Sequence, residues 1–584
     1  MSLRTSLEKL APDVLETLSR FPFAIALQAV SALILVFVIN QGGAVDGEFW
    51  FRSALGLSTG AVLAVAGVLY RESRPESRLA AGIFTYGLPL LAIVLLQVRD
   101  TTWVTPHWLP AIAGLWLSVS AFTRIGRGAE REAAENRFWW LNHQAVATAV
   151  IAAAAFLLIS LGMAAIERSL AILFSLNGTP FFYGYVLPLI GAFFTPVYWL
   201  STLPRLEEFD ERALNEPDFI SRAIGFLGQF VLAPLLLAYA AILLAYTLQI
   251  IVAQSLPQGR LGWMVLGFTV TGAATWLVLH PPFMRSRGLV RLFRRWWFWL
   301  TVVPLVLYGI AVWIRLDLYG LTTERMLLVA GGLWAAGLTV VFLSGRGDIR
   351  LIPALGALVL LVLSVGPHNL QNGPQWNQAV RLEQALHEAG YPLAPGATPN
   401  WTDGAQVRAQ SALDYLAYSY GRQEIEAVLA RNGVTADAEA GTSALREALL
   451  MPPLPGTETV RVINVGRVYT STVDVSATPL LIGSNSIYPG QDAHFGPVSL
   501  RIEAAALVAT GPGGEQVRHD LRAWVDRQEN GEVAEPLISF ELAGRAYAVV
   551  VDSATVNAPP AEEEGQRELT WLRFNLFTAP AAPL

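Results

Sequence analysis

Between Phe21 and Gly366, apolar residues gather into eleven runs near 21–40, 51–70, 79–98, 103–123, 140–163, 182–203, 225–251, 262–280, 298–316, 326–344 and 350–366. Each approaches the roughly 20 mostly apolar residues needed to cross a hydrocarbon core. The pattern therefore predicts a membrane all-α helical bundle of about eleven transmembrane helices, with ten to twelve as the range. Ahead of it, Leu3, Leu7, Leu10, Val14, Leu15 and Leu18 recur at helical spacing. Residues 1–20 are expected to form a short amphipathic helix.

Past residue 366 the pattern changes twice. Pro367 to Pro374 is a polar linker; a helix is expected through Val380, Leu382 and Leu386, stopping at Gly390, and a second from about Ala405 to Asn432 with Gly433 as its stop. The break Met451-Pro452-Pro453-Leu454-Pro455-Gly456 closes this part. Beyond it the period falls to two: Val460/Val462, Leu500/Ile502, Ile538/Phe540/Leu542 and Leu572/Phe574/Leu576 alternate with polar residues. Turns are expected at Gly483-Ser484-Asn485, Pro489-Gly490 and Gly511-Pro512-Gly513-Gly514. The domain reading is thus 1–20 amphipathic helix, 21–366 transmembrane bundle, 367–456 helical linker region and 457–584 β-rich domain. The last two form a soluble α+β domain with a small β-sandwich or barrel.

Charge orients the bundle. Alternate connections carry Arg4, Lys9, Arg20; Arg71, Arg74, Arg78; Arg124, Arg127, Arg131, Arg137; Arg205, Arg212, Arg222; Arg285, Arg287, Arg291, Arg294, Arg295; and Arg346, Arg350, twenty in all. The connections between them carry six: Arg52, Arg99, Arg168, Arg260, Arg315 and Arg325. By the positive-inside rule the N-terminus is cytoplasmic, and eleven crossings put everything after Gly366 outside. Trp50, Tyr70, Trp103, Trp108, Trp139, Trp140, Tyr198, Trp199, Trp296, Trp297 and Trp299 sit at run ends, as an aromatic belt requires.

Composition narrows the function. Of 584 residues 53% are hydrophobic and 15% charged. Residues 1–366 hold 26 basic and 21 acidic side chains and residues 367–584 hold 14 and 25. An acidic outer domain is repelled by phosphate backbones, which argues against nucleic acid as a partner. With no cysteine the outer domain must be held by its own core. Glu8, Asp13 and Glu16 ahead of a full-length first run, with no small-x-small site after it, read as a retained anchor rather than a cleaved signal.

Candidate chemistry is sparse. Gly56-Leu57-Ser58-Thr59-Gly60 fits the nucleophile-elbow pattern, but lies mid-span, where a small-residue face for close helix approach is the better account. Asp46 and Glu48 occupy the first outer loop, where membrane transferases using lipid-linked substrates place a catalytic acid; the loop is short and solvated carboxylates suffice. The seven histidines never fall at metal-ligand spacing, so neither metal nor cofactor is expected. No span has a charge near its centre, which lowers the case for ion-coupled transport. Gln28, Gln229, Gln249, Tyr239 and Tyr246 are the main polar groups within spans, with Tyr239 and Tyr246 as candidate intramembrane sites. Prolines at 89, 110, 188, 196, 234 and 304 can each kink a span.

The segment Arg315 to Arg325, between the ninth and tenth runs, carries two of the six outer arginines. Its candidate functional residues are Arg315, Asp317, Tyr319, Gly320, Thr322, Glu324 and Arg325. Asp317 and Glu324 can pair with the arginines, Gly320 can take a left-handed turn, and Thr322 can cap the next helix. A paired hairpin is the expectation, an anion-facing site the alternative.

This run resembles the "R-x-x-x-Y-G-L-T-x-x-R" signature of a bacterial multi-pass membrane family, the domain-of-unknown-function family numbered 4153. The stretch Pro234-Leu235 through Tyr239 and Ile242-Leu243 to Tyr246 is similar to its P-L-x-x-x-Y-x-x-I-L-x-x-Y segment, and Leu256-Pro257-Gln258-Gly259 to its L-P-x-G connection. The resemblance covers roughly 20–345. Leu318 stands where the family often has an acidic residue, so any role of that carboxylate falls to Asp317 or is absent. The resemblance implies the bacterial inner membrane and supplies no reaction. Three function classes follow: a non-enzymatic envelope scaffold, sensor or accessory subunit; a permease-like transporter of a small or lipidic substrate; and a membrane transferase using lipid-linked substrate. The partners expected are the bilayer and an envelope protein or small-molecule ligand at the outer domain.

Overall fold

The computed structural model describes the chain except residues 1–13, 42–44, 99–103, 125–127, 175–178, 211, 216–218, 254–260, 420, 438–440, 453–460, 468–472, 497, 504–505, 530, 534, 559–566 and 581–584. Most of the expected amphipathic helix, the Leu256–Gly259 connection and the end of the Pro-rich break lie outside the described residues. The chain divides into two compact units: Met1–Asn400 with Arg408–Leu449, and Trp401–Val407 with Leu450–Leu584.

The first unit is helical. Eight helices among the described residues are long and apolar enough to cross a membrane: Pro22–Gln41, Gly47–Ser73, Arg78–Leu96, Ala129–Phe174, Phe182–Ser201, Phe219–Ile250, Gly288–Tyr319 and Thr323–Leu343. The other three expected spans are helical but short. Residues 106–122 combine two single 3₁₀ turns with the helix Leu109–Val119; Gly262–Val278 and Leu351–Ser364 are the others. At 14 residues the last is about 21 Å long, short of a core roughly 30 Å thick. Ala129–Phe174, at 46 residues, runs well past the apolar stretch 140–163 at both ends.

The prolines explain a local feature that sequence reasoning left open. Wide π-type turns occupy Ile83–Gly87, Phe182–Val186, Ile190–Phe194 and Gly228–Leu232. Each ends two residues before a proline: Pro89, Pro188, Pro196 or Pro234. A proline ring clashes with the carbonyl four residues back and offers it no N–H, and widening the turn relieves both. One such carbonyl, that of Ala192 four residues before Pro196, accepts from Gln28 Nε2 at 2.5 Å. Pro110 instead opens a helix, and Pro304 is carried inside one.

Gly56 and Gly60 are contact points. A Cβ at Gly56 would lie 3.3 Å from the Ile93 Cα, and one at Gly60 3.3 Å from the Pro89 carbonyl. Ser58 sits mid-helix with its hydroxyl 3.0 Å from that of Ser31. The small-residue face is what the structure shows. The first-loop carboxylates are likewise structural: Asp46 accepts from the Phe49 N–H at 3.1 Å, and Glu48 pairs with Arg52 at 2.7 Å.

Helices Asn372–Glu388, Asp403–Tyr418, Arg422–Arg431 and Gly441–Ala448 follow. The expected helix from Ala405 to Asn432 is therefore two. Its break falls at Gly421, whose N–H turns back to the Leu416 carbonyl at 2.8 Å.

The second unit holds the strands β1 (Arg461–Gly466), β2 (Leu480–Ile487), β3 (Asp492–Phe495), β4 (Val498–Glu503), β5 (Ala506–Thr510), β6 (Gln516–Asp520), β7 (Gly531–Glu532), β8 (Leu537–Leu542), β9 (Arg545–Ala558) and β10 (Glu568–Thr578). One sheet runs β2-β10-β9-β1-β7 with β8 also on β9, and the other runs β3-β4-β5-β6. Leu500, Ile502, Phe540, Leu572, Phe574 and Leu576 meet in one core drawn from both sheets. Alternation in β4 and β8 follows the expected inward positions. The expected turn at Gly483-Ser484-Asn485 is instead part of β2. Gly483 pairs with Leu576 where the β2–β10 register slips by one residue, so the glycine marks a bulge.

Candidate functional site

The helix Gly288–Tyr319 ends on Gly320, which has φ +71°. Every α-helix leaves its last carbonyls without an intrahelical donor. Here each of them finds one. The Leu316 carbonyl accepts from the Gly320 N–H at 2.9 Å. Arg381, on the helix Asn372–Glu388, donates to the carbonyls of Asp317 at 3.1 Å and Leu318 at 2.7 Å. The Tyr319 carbonyl accepts from Gln378 Nε2 and Arg325 Nη1, both at 3.1 Å. Arg325 also donates to the Gly320 carbonyl at 2.8 Å, and Gln378 to that of Leu321 at 2.9 Å.

The donors of the turn are matched as well. The Leu321 N–H reaches Asn377 Oδ1 at 2.8 Å, the Thr323 N–H reaches the Tyr415 hydroxyl at 3.3 Å, and the Thr323 hydroxyl donates to the Leu370 carbonyl at 3.1 Å. Thr322 caps the next helix, accepting from the Arg325 N–H at 3.4 Å. The Arg325 guanidinium carbon lies 5.4 Å from the Tyr319 ring centre. Two guanidiniums at the C-terminal end of a long helix also oppose its macrodipole. Burial and the neighbouring Arg408 hold Arg381 below the usual arginine range, and it stays a cation.

At Arg325 this differs from the paired hairpin expected from the sequence. Among the described residues Arg325 makes no ion pair with Asp317 or Glu324, both of which are exposed; its Nη1 goes to carbonyls instead. The reason is supply: a helix end offers unpaired carbonyls at close range, whereas the two carboxylates reach water. Asn377, Gln378, Arg381 and Tyr415 were missed by sequence reasoning. The signal for the first three was their i, i+1, i+4 spacing on one helix face.

Tyr239 and Tyr246 lie elsewhere, half-buried against the helical core and seven residues apart on one face of the Phe219–Ile250 helix. Tyr239 packs on Phe268 with ring centres 5.7 Å apart. The structure does not bring either to the Gly320 turn.

At the other end of the bundle the arginine-rich connections meet one another. Arg20 pairs with Glu72 at 2.8 Å and donates to the Leu203 and Pro204 carbonyls; Arg205 pairs with Glu16 at 2.7 Å, Arg285 with Glu132 at 3.5 Å, and Arg124 with Glu76. Arg350 and Asp348 form a buried pair at 2.6 Å, and Arg350 also donates to the Phe122 and Arg124 carbonyls at 3.1 and 2.8 Å. His280 is fully buried between Asn136, at 3.2 Å, and Arg285. No group of three metal-ligating side chains occurs among the described residues.

The family model "Domain of unknown function (DUF4153)" matches residues 58–371. The chain belongs to this family. An uncharacterized protein of Pasteurella multocida (strain Pm70), PM1469, is 26% identical over 207 residues, 34% of this chain and 33% of that one. The matched region thus spans about a third of the relative's length. No solved structure matches. The DUF4153 match contains the whole Gly320 turn and stops just before the helix that grips it, so Asn377, Gln378 and Arg381 lie outside the matched region.

Proposed function

We propose that this DUF4153 chain is a bacterial inner-membrane protein with a cytoplasmic N-terminus. Residues from 367 onward, including the two-sheet unit read as a β-sandwich, lie on the outer face. Its role is that of a non-enzymatic envelope sensor, scaffold or accessory subunit. The observation that supports this most is the grip of the helix Asn372–Glu388 on the Gly320 turn. Side chains from beyond the bundle hold the backbone at the end of a membrane helix, which couples whatever moves the outer helices to that helix. The polar groups that looked chemical in the sequence are used to hold structure, Asp46 and Thr322 as caps and Arg325 as a carbonyl clamp. The arginine bias supports the orientation, since the rich connections gather at one end.

Because the chain has no cysteine, single introduced cysteines report topology cleanly. Glu324→Cys should react with a membrane-impermeant maleimide in spheroplasts, and Arg346→Cys only after permeabilisation. The reverse pattern inverts the orientation. Labelling at both positions without permeabilisation would mean that Thr323–Leu343, the helix between them, does not cross.

A further inference from the structure

Two cavities lie side by side in the helical unit. The first, 390 Å³, is bounded by Leu63, Leu88, Ala92, Ile112, Leu358 and Leu361 among other apolar side chains. The second, 940 Å³, is lined by Thr123, Arg131, Arg346, Asp348 and Arg350. Both volumes fall in the range of about 300–1,000 Å³ found for small-molecule sites. They share Trp116, Val119 and Ala354 as walls, so they adjoin. Leu91, Leu358 and Leu361, on the apolar cavity, are each about half exposed, which leaves that wall broken toward the surroundings of the bundle.

The polar chamber is lined by three guanidiniums and one carboxylate, with Glu135 paired to one of the three, which leaves an excess of one positive charge. Arg350 is committed to Asp348 and to two carbonyls and supplies field rather than free donors. Arg131 holds Glu135 at 3.3 Å through one nitrogen, and Arg346 is exposed at the chamber rim. Two further groups point to an occupant: the Trp116 indole nitrogen and the Thr123 hydroxyl are buried with no hydrogen-bond partner among the described residues. An unmatched buried donor is costly, and Trp116 stands where the apolar and charged chambers meet.

We propose that this pair of chambers binds an anionic phospholipid. An acyl chain fills the apolar cavity, the Trp116 N–H donates to an ester carbonyl at the junction, and the phosphate rests against Arg131 and Arg346 beside the Thr123 hydroxyl. A guanidinium suits a phosphate because its planar fork matches two oxygens at once. An anion without a chain would leave the apolar chamber unused, and an uncharged lipid would leave the excess positive charge unmatched. The site does not depend on the sensor role; only its placement in the inner leaflet rests on the proposed orientation.

The full-length protein in nanodiscs containing phosphatidylglycerol or phosphatidylcholine of equal chain length, released and examined by native mass spectrometry, tests this. The wild type should retain phosphatidylglycerol through delipidation and lose phosphatidylcholine. Arg346→Gln and Arg131→Gln should each lower retention roughly tenfold, and Trp116→Phe, which keeps the ring and removes the donor, a few-fold. Arg291→Gln, at the same end but outside the chamber, should change nothing. A melting temperature for each variant separates lost binding from lost folding. Equal retention of the two lipids overturns the proposal. So does equal retention across folded variants, or displacement of the lipid by millimolar inorganic phosphate alone, which would make this a simple anion site.

Discussion

The two ends of the helical unit hold their cations in different ways. At the arginine-rich end guanidiniums meet carboxylates, as in Arg205–Glu16, with carbonyls added in the less exposed pairs Arg20–Glu72 and Arg350–Asp348. At the Gly320 end they meet backbone carbonyls, as in Arg325 to Tyr319 and Gly320 and Arg381 to Asp317 and Leu318. An exposed ion pair contributes little because water competes for both partners, whereas a carbonyl at a helix end has no other donor. The scarcer cations are therefore expected to matter more per residue, with one exception. The Arg350–Asp348 pair is buried, and removing one member strands the other charge.

That exception sets the largest expected effect. Arg350→Met should destabilise the protein by roughly 3–5 kcal/mol, and adding Asp348→Leu should recover much of the loss. Thermal melts in detergent would show it; a double variant no better than the single would mean that the carbonyl bonds to Phe122 and Arg124 dominate.

Next comes a glycine at each end. A Cβ at Gly320 would lie 2.8 Å from Arg381 Nε and 2.9 Å from Gln378 Nε2, on backbone with φ +71°. Gly128, at the arginine-rich end, has φ +57° with nothing within 4 Å. Gly320→Ala should cost roughly 2–4 kcal/mol and Gly128→Ala about 1 kcal/mol. Equal losses in the two melts would mean that backbone strain, not the clamp, is what Gly320 serves.

The third contrast is a conservative exchange at both ends. Arg325→Lys gives up the Nη1 that bonds both carbonyls and the planar group beside the Tyr319 ring, and should cost roughly 1–2 kcal/mol. Arg205→Lys, in an exposed pair, should change stability by under about 0.5 kcal/mol. A melt in which Arg205→Lys is the worse variant would reverse the comparison.

The smallest effect is one of pH. Glu383 accepts two bonds from Arg431, at 2.8 and 3.2 Å, and that guanidinium holds its carboxyl below the usual glutamate range. A carboxyl depressed in the folded state stabilises at pH above its unfolded pKa, and this contribution is lost as pH falls through the folded value. The exposed pair should contribute roughly 0.2–1 kcal/mol at neutral pH. Glu383→Gln should lower the melting temperature at pH 7 and narrow the gap to wild type toward pH 3. A gap independent of pH would point to lost packing.

Much of this architecture was legible in the chain. Apolar runs of span length, arginines on alternate connections and the switch to period two after residue 456 need only local composition, because a membrane helix or a half-buried strand is recognisable from its own side chains. Gly320 and Thr322 were legible for the same reason, since a left-handed stop and an N-cap are local devices. Tertiary structure alone decided the rest. Whether Arg325 meets a carboxylate or a carbonyl depends on where the end of its neighbouring helix comes to lie, and Arg381 reaches that end only because a helix 63 residues past Leu318 packs against it. The adjoining chambers at Trp116 are likewise invisible in sequence. A cavity is the space that several distant segments leave unfilled, and no residue along a chain encodes a gap by itself.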